Sequence, residues 1–242
     1  GAFFLSLPLL LAAPRGVGHP VVVLPGCMAS SPSTLPLRTY LRQRGYDAHD
    51  WGQGRNYGRG IDPVEGVTMH TNTYALIKRL HAESGQKVSL IGWSLGGIYA
   101  RELARIAPEA IRQVITLGSP FTNNNRANNV VRLFEMISGH KLEEIDTDLK
   151  TRMRTPPPVP RTAVFSRTDG IAAWECCVEQ TTTSSESIEV ESSHSGLGHN
   201  PLVIWVIMDR LSQPEENWQP FDRSGLRALV YKNPDRKCYL GF

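Results

Sequence analysis

The pentapeptide Gly92-Trp93-Ser94-Leu95-Gly96 constrains this chain more than any other feature, because of what lies on either side of it. Lys87 to Trp93 (KVSLIGW) reads as a buried strand, and Leu95 to Ala107 reads as a helix stopped by Pro108. A strand that turns straight into a helix at a serine strains the serine backbone, and glycines two residues to either side prevent steric collision. Ser94 Oγ would then stand above the sheet, with a helix N-terminus behind it that favours developing negative charge. That is the setting of a nucleophile elbow. A strand–helix turn without chemistry can carry the same letters, so the partner residues decide.

Strands and helices alternate along most of the chain, which predicts an α/β fold with a mostly parallel central sheet flanked by helices on both faces. Pro20 to Gly26 (PVVVLPG) is a β-branched run ended by Pro and Gly, as a strand buried on both faces requires. Ser33 to Arg44 reads as a helix, Tyr46 to Trp51 as a strand, Gly52 to Gly60 as a glycine-rich loop and Glu65 to Ser84 as a second helix. Ile111 to Leu117, Arg161 to Phe165 and Ser187 to Glu191 are further strands, and Pro201 to Leu211 is an apolar helix expected in the core. The rhythm breaks between Phe121 and Pro160, which carries an asparagine cluster and Pro156 to Pro158. A structureless loop of that length is unusual inside one domain, so it is expected to be a lid or cap insertion. Val130, Val131, Leu133, Phe134, Met136 and Ile137 then roof an acyl pocket or pack the lid down.

With 242 residues the chain suits one well-packed domain. The expected organisation is an N-terminal apolar segment over 1–19, the main domain over 20–212 and a C-terminal tail over 213–242. A formal charge of +3 with no dense Lys/Arg block excludes a nucleic-acid-binding class. The four cysteines, Cys27, Cys176, Cys177 and Cys238, form no CxxC pair, which argues against a zinc site and for free thiols.

The residues that follow the later strands supply the other chemistry. Asp169 ends the polar turn after Arg161 to Phe165 and is placed to orient an imidazole; Asp146 and Asp148 compete from within the presumed lid. His194 leaves the last strand and is the expected base, with His199 as the alternative or as a residue supporting the site from behind. The backbone N–H groups of Leu95, after the nucleophile, and of Cys27, after the first core strand, are the expected oxyanion donors. Cys27 can also be read as a nucleophile, but Ser94 already holds the elbow.

The runs VVVLPGCMASS, GWSLGG, SRTDG and SHSGL together resemble the α/β-hydrolases of the bacterial lipase and esterase group, including the small lidless lipases and the GPI inositol-deacylase-like branch. The resemblance spans roughly Pro20 to Leu211. It implies the α/β-hydrolase fold, Ser94 as nucleophile, Asp169 as acid, His194 as base, Cys27 and Leu95 at the oxyanion hole, and neither metal nor cofactor. Pro25-Gly26 stands where many members carry His-Gly, and the presumed lid is larger than in the lidless lipases.

The expected activity is hydrolysis of a carboxylic ester, small-molecule or lipid, through an acyl-enzyme. An acyltransferase would use the same intermediate and differ only in whether an alcohol or water resolves it. A non-catalytic module on this scaffold is a third reading. Ala2 to Ala13 is too short to span a bilayer and lacks the basic start of a signal peptide. It is expected to pack on the domain, with peripheral membrane contact as the alternative. A cytoplasmic location is favoured, and a membrane-associated or secreted one if a further segment precedes it. Oligomeric state is left open.

Overall fold

Val21, Val22, Val23 and Leu24 alternate between two separate cores, which explains their unbroken apolar run: side chains along a strand point to opposite faces, and here both faces are covered. The computed structural model describes residues 10–58, 61–62, 66–67, 71–122 and 155–235. Its elements are β1 (Pro20–Leu24), α1 (Ser31–Gln43), β2 (Asp47–Asp50), β3 (Ile61–Asp62), β4 (Gly66–Val67), α2 (Thr71–Ser84), β5 (Val88–Trp93), α3 (Leu95–Ile106), β6 (Ile111–Leu117), β7 (Arg161–Phe165), β8 (Ser185–Glu189) and α4 (Pro201–Ser212). Six strands form one sheet in the order β2-β1-β5-β6-β7-β8, every neighbouring pair parallel. β3 and β4 pair separately and antiparallel.

One core joins Val21, Val23, Ile91, Ile115, Val164 and Ile188 of the sheet to residues of α1 and α4. The other joins Val22, Leu24, Val88, Leu90 and Val114 to residues of α2 and α3. Burial of α4 at Val203, Ile204, Val206, Ile207, Met208 and Leu211 accounts for its apolar sequence. From β1 the chain moves to β2 on one side and then returns to lay β5 on the other. The strand order therefore reverses at β1, and a crevice opens outside the carboxyl ends of β1 and β5, where open α/β sheets bind ligands. Both the Ser94 turn and the Pro25–Cys27 turn leave the sheet there.

Two sequence expectations need correction. α2 begins at Thr71, not at Glu65, because Gly66 and Val67 are extended and pair with Ile61 and Asp62; glycine and a β-branched residue favour that conformation over a helix. The last strand is Ser185–Glu189, two residues earlier than its apolar pattern suggested. Its polar side chains can be buried because each has a partner from elsewhere in the chain. Glu186 receives Arg210 at 2.8 Å and the Phe221 amide at 3.0 Å, and Ser187 Oγ receives the Glu179 amide at 2.8 Å. The C-terminal tail, whose placement the sequence did not decide, supplies part of this: Phe221 and Tyr231 are buried against each other, and the Lys232 backbone pairs antiparallel with that of Glu189.

Two arginines of α3 tie that helix to both flanks of the presumed lid. Arg101, buried, pairs with Glu179, and its guanidinium carbon lies 3.8 Å from the Phe121 ring centroid. Arg105 pairs with Glu102 at 2.7 Å and donates to the Thr155 carbonyl. Arg161 approaches Glu179 at 3.5 Å and donates to the carbonyls of Pro157 and Val159. The body of that insertion, with Val130, Val131, Leu133, Phe134, Met136, Ile137, Asp146 and Asp148, lies outside the described residues, as do Cys238 and the first nine residues. Among the described residues no helix is long and apolar enough to cross a membrane.

Candidate active site

Ser94 sits between β5 and α3 with φ 53° and ψ −122°, a conformation that costs a non-glycine residue about 1–3 kcal/mol. The surroundings over-determine it. Its amide donates to the Leu117 carbonyl at 2.8 Å, and its own carbonyl accepts from Gly97 at 3.0 Å. A Cβ on Gly92 would overlap Gly97, on Gly96 the Leu24 carbonyl, and on Gly97 the Ser119 hydroxyl, so the elbow closes only with glycine at all three. Ser94 is 4% exposed, placed at the N-terminus of α3 where unpaired amides and the helix dipole favour an anion.

Asp169 occupies the loop after β7, and its carboxylate is gripped on both oxygens. Oδ1 accepts the amides of Ile171 at 2.8 Å and Ala172 at 2.9 Å. Oδ2 lies 2.6 Å from Nδ1 of His194, with side-chain exposures of 2% for the aspartate and 10% for the histidine. An ionised carboxylate can only accept, so the ring proton belongs on Nδ1 and Nε2 is left as the basic nitrogen.

Two contacts connect this pair to the serine turn. Trp93, the residue before Ser94, donates its indole N–H to the His194 carbonyl at 3.1 Å. Gly118, directly after the carbonyl that receives the Ser94 amide, has φ 54° and lies flush against the pair: a Cβ there would sit 3.1 Å from Asp169 Oδ2 and 3.3 Å from His194 Nδ1. The nucleophile candidate, the base candidate and the acid candidate thus converge on the ends of β5, β6, β7 and β8. His199 is elsewhere, exposed, with its ring edge-on to Trp93 at 5.6 Å. Capping of α4 falls to Asn200, whose side chain accepts from the Leu202 amide.

Leu95 is the first residue of α3, and Cys27 is half-buried in the turn after β1. Burial raises the Cys27 thiol above its ordinary pKa, which keeps it protonated and dulls it as a nucleophile. Cys176 and Cys177 are free and buried. The Cys177 thiol is pushed well up by burial first and then by the negative charge of Asp169.

Sequence patterning had no means of finding Asn56. It lies in the glycine-rich loop, is 1% exposed, and donates its side-chain amide to the Pro25 carbonyl at 2.9 Å, beside the oxyanion-donor candidate Cys27.

A parallel, switched sheet with a strained serine at the end of β5 and an Asp–His pair beyond β7 and β8 defines an α/β hydrolase in architecture. Residues 61–211, more than half of the chain, match the family model described as the PGAP1-like alpha/beta domain, and the chain belongs to that family. No curated protein matches it in sequence. Among solved structures, the mature Bacillus licheniformis lipase BlEst2 is similar with a TM-score of 0.57 at 14% identity, covering 83% of this chain and 94% of that one. The Paleococcus ferrophilus monoacylglycerol lipase gives 0.53 at 14% identity, over 81% and 96% of the two chains. Aspergillus fumigatus lipase B gives 0.60 at 15% identity, over 84% of this chain and 57% of that one. Identities this low establish the fold and nothing finer.

Proposed function

We propose that this protein is a serine hydrolase of carboxylic esters. The observation that carries the reading is the 2.6 Å contact between Asp169 and His194, set beside a serine in elbow geometry. In the proposed reaction Ser94 Oγ attacks the ester carbonyl carbon while His194 Nε2 takes its proton. Negative charge gathers on the carbonyl oxygen, which the Leu95 and Cys27 amides receive. The tetrahedral species collapses with His194 returning the proton to the departing alcohol, leaving Ser94 acylated. Water, deprotonated by His194, then attacks the acyl carbon and releases the acid. Asp169 holds the imidazole in one tautomer and balances its transient charge. Family membership, together with the resemblance to the GPI inositol-deacylase-like branch, favours a lipid ester over a small soluble one.

The test is hydrolysis of p-nitrophenyl esters from short to long acyl chains by the native protein and by Ser94→Ala, with and without an added alcohol acceptor. Loss of turnover in the variant is expected, with an optimum at medium or long chains. Equal rates in both proteins would overturn the assignment of Ser94. Transfer to the alcohol in place of hydrolysis would make the protein an acyltransferase through the same residues.

A further inference from the structure

Two non-glycine residues among those described have positive φ: Ser94, explained above, and Met28 at 59°. Met28 follows Cys27 in a four-residue turn closed by the Ala29 amide on the Gly26 carbonyl at 3.2 Å. A left-handed residue at the third position of such a turn belongs to the type II pattern, where glycine or asparagine is usual. A methionine held there needs outside restraint. This turn also presses on the nucleophile, since a Cβ on Gly26 would lie 3.3 Å from the Ser94 Cβ.

The restraint comes from one residue. Asn56 donates its side-chain amide to the Pro25 carbonyl at 2.9 Å, accepts the Met28 amide on its own carbonyl at 2.6 Å, and donates its backbone N–H to the Ala29 carbonyl at 2.8 Å. Its Oδ1 accepts the Gly58 amide at 3.1 Å, which locks the side chain itself. Asn56 therefore holds the Pro25–Gly26 and Cys27–Met28 peptides, which bracket the Gly26–Cys27 peptide that carries the Cys27 amide.

From this grip we infer that Asn56 is a positioning residue for the oxyanion hole, aiming the Cys27 amide at the substrate carbonyl through its hold on Pro25 and Met28. The inference rests on the ester-hydrolase reading and deepens it. An amide that must meet an oxyanion, not a ground-state carbonyl, is sensitive to small displacements, and errors of about 1 Å can cost about 100-fold in rate. Asn56 touches no reacting atom. Its effect should fall on the transition state and spare ground-state binding.

The experiment compares the native protein with Asn56→Asp, which keeps the shape and the Gly58 contact but points an acceptor at the Pro25 carbonyl, and with Asn56→Ala. Turnover of a p-nitrophenyl ester is measured per active site titrated by a fluorophosphonate, so unfolded protein does not count. For Asn56→Asp a fall in kcat of about 10- to 100-fold with KM changed less than about threefold is expected. A trifluoromethyl ketone, which forms a tetrahedral adduct on Ser94, should lose affinity by a similar factor, while a fatty-acid product should bind as before. An unchanged kcat per titrated site, with only the unfolding midpoint lowered, would make Asn56 a structural residue and overturn the inference while leaving the hydrolase reading intact. A native protein whose activity survives Ser94→Ala would overturn both.

Discussion

Replacing Asp169 by asparagine separates the carboxylate's electrical role from its place in the loop. Oδ1 bonds the amides of Ile171 and Ala172, and an asparagine carbonyl can keep both. At the Oδ2 position, 2.6 Å from His194 Nδ1, the variant presents an N–H donor. The ring must then accept at Nδ1, which moves its proton to Nε2 and removes the base that the proposed mechanism requires. A wrong tautomer in an otherwise intact triad costs about 10,000-fold in kcat, which is about 5.4 kcal/mol of barrier. Stability should fall by only about 1–2 kcal/mol, the worth of one charge-assisted hydrogen bond between partners that still find neighbours. The assays are kcat on a p-nitrophenyl ester and urea unfolding of the same samples. A kcat within about tenfold of the native value, with folding intact, would refute the claim that Asp169 sets the tautomer.

Gly118→Ala puts a Cβ 2.7 Å from the Leu197 Cδ1 and 3.1 Å from Asp169 Oδ2 in a left-handed conformation, so it should cost about 1–3 kcal/mol in urea unfolding and lower kcat as well. His19 is fully buried, with burial as the main cause that lowers its pKa to about 4 and the positive charge of Arg112 adding to it. Between its ordinary 6.5 and about 4 the unfolded chain takes up a proton that the folded protein refuses, so stability should drop as pH falls through that window. The full loss is about 3 kcal/mol at pH 4, and urea unfolding of His19→Gln should show a flatter profile over the same range. Cys27 should react slowly with iodoacetamide at neutral pH, faster above the ordinary thiol range, and ahead of the buried Cys176 and Cys177, as peptide mass spectrometry will read.

The sequence revealed elements that carry their own signal within a few residues. The β1 run is apolar throughout because both its faces are covered, and the elbow shows itself because three close approaches demand glycine. β8 was misplaced because Glu186 and Glu189 are buried against partners distant in sequence, Arg210, Phe221 and Arg167, while Ser185 and Ser187 bond Gln180 and Glu179 in the loop before the strand. Asn56 is the same case within the candidate site: one polar residue among several in a glycine-rich loop, whose role depends on Pro25 lying opposite it. Of the two histidines the pattern offered, His194 stands against Asp169 and His199 lies exposed beside Trp93. The helix-start error of α2 differs in kind, since Gly66 and Val67 argue locally against the helix that its periodicity extended into them.

The arginines of α3 have a consequence for how this scaffold can be altered. Arg101 holds the Phe121 flank and Arg105 the Thr155 flank of residues 123–154, so both ends of that stretch are moored to the helix that begins beside Ser94. Moored ends make the closure entropy a weak function of what lies between them, about 0.6 kcal/mol for each doubling of length. The domain is in that respect a socket. Shortening, lengthening or exchanging the chain between those two anchors should leave the Asp169–His194 pair in place.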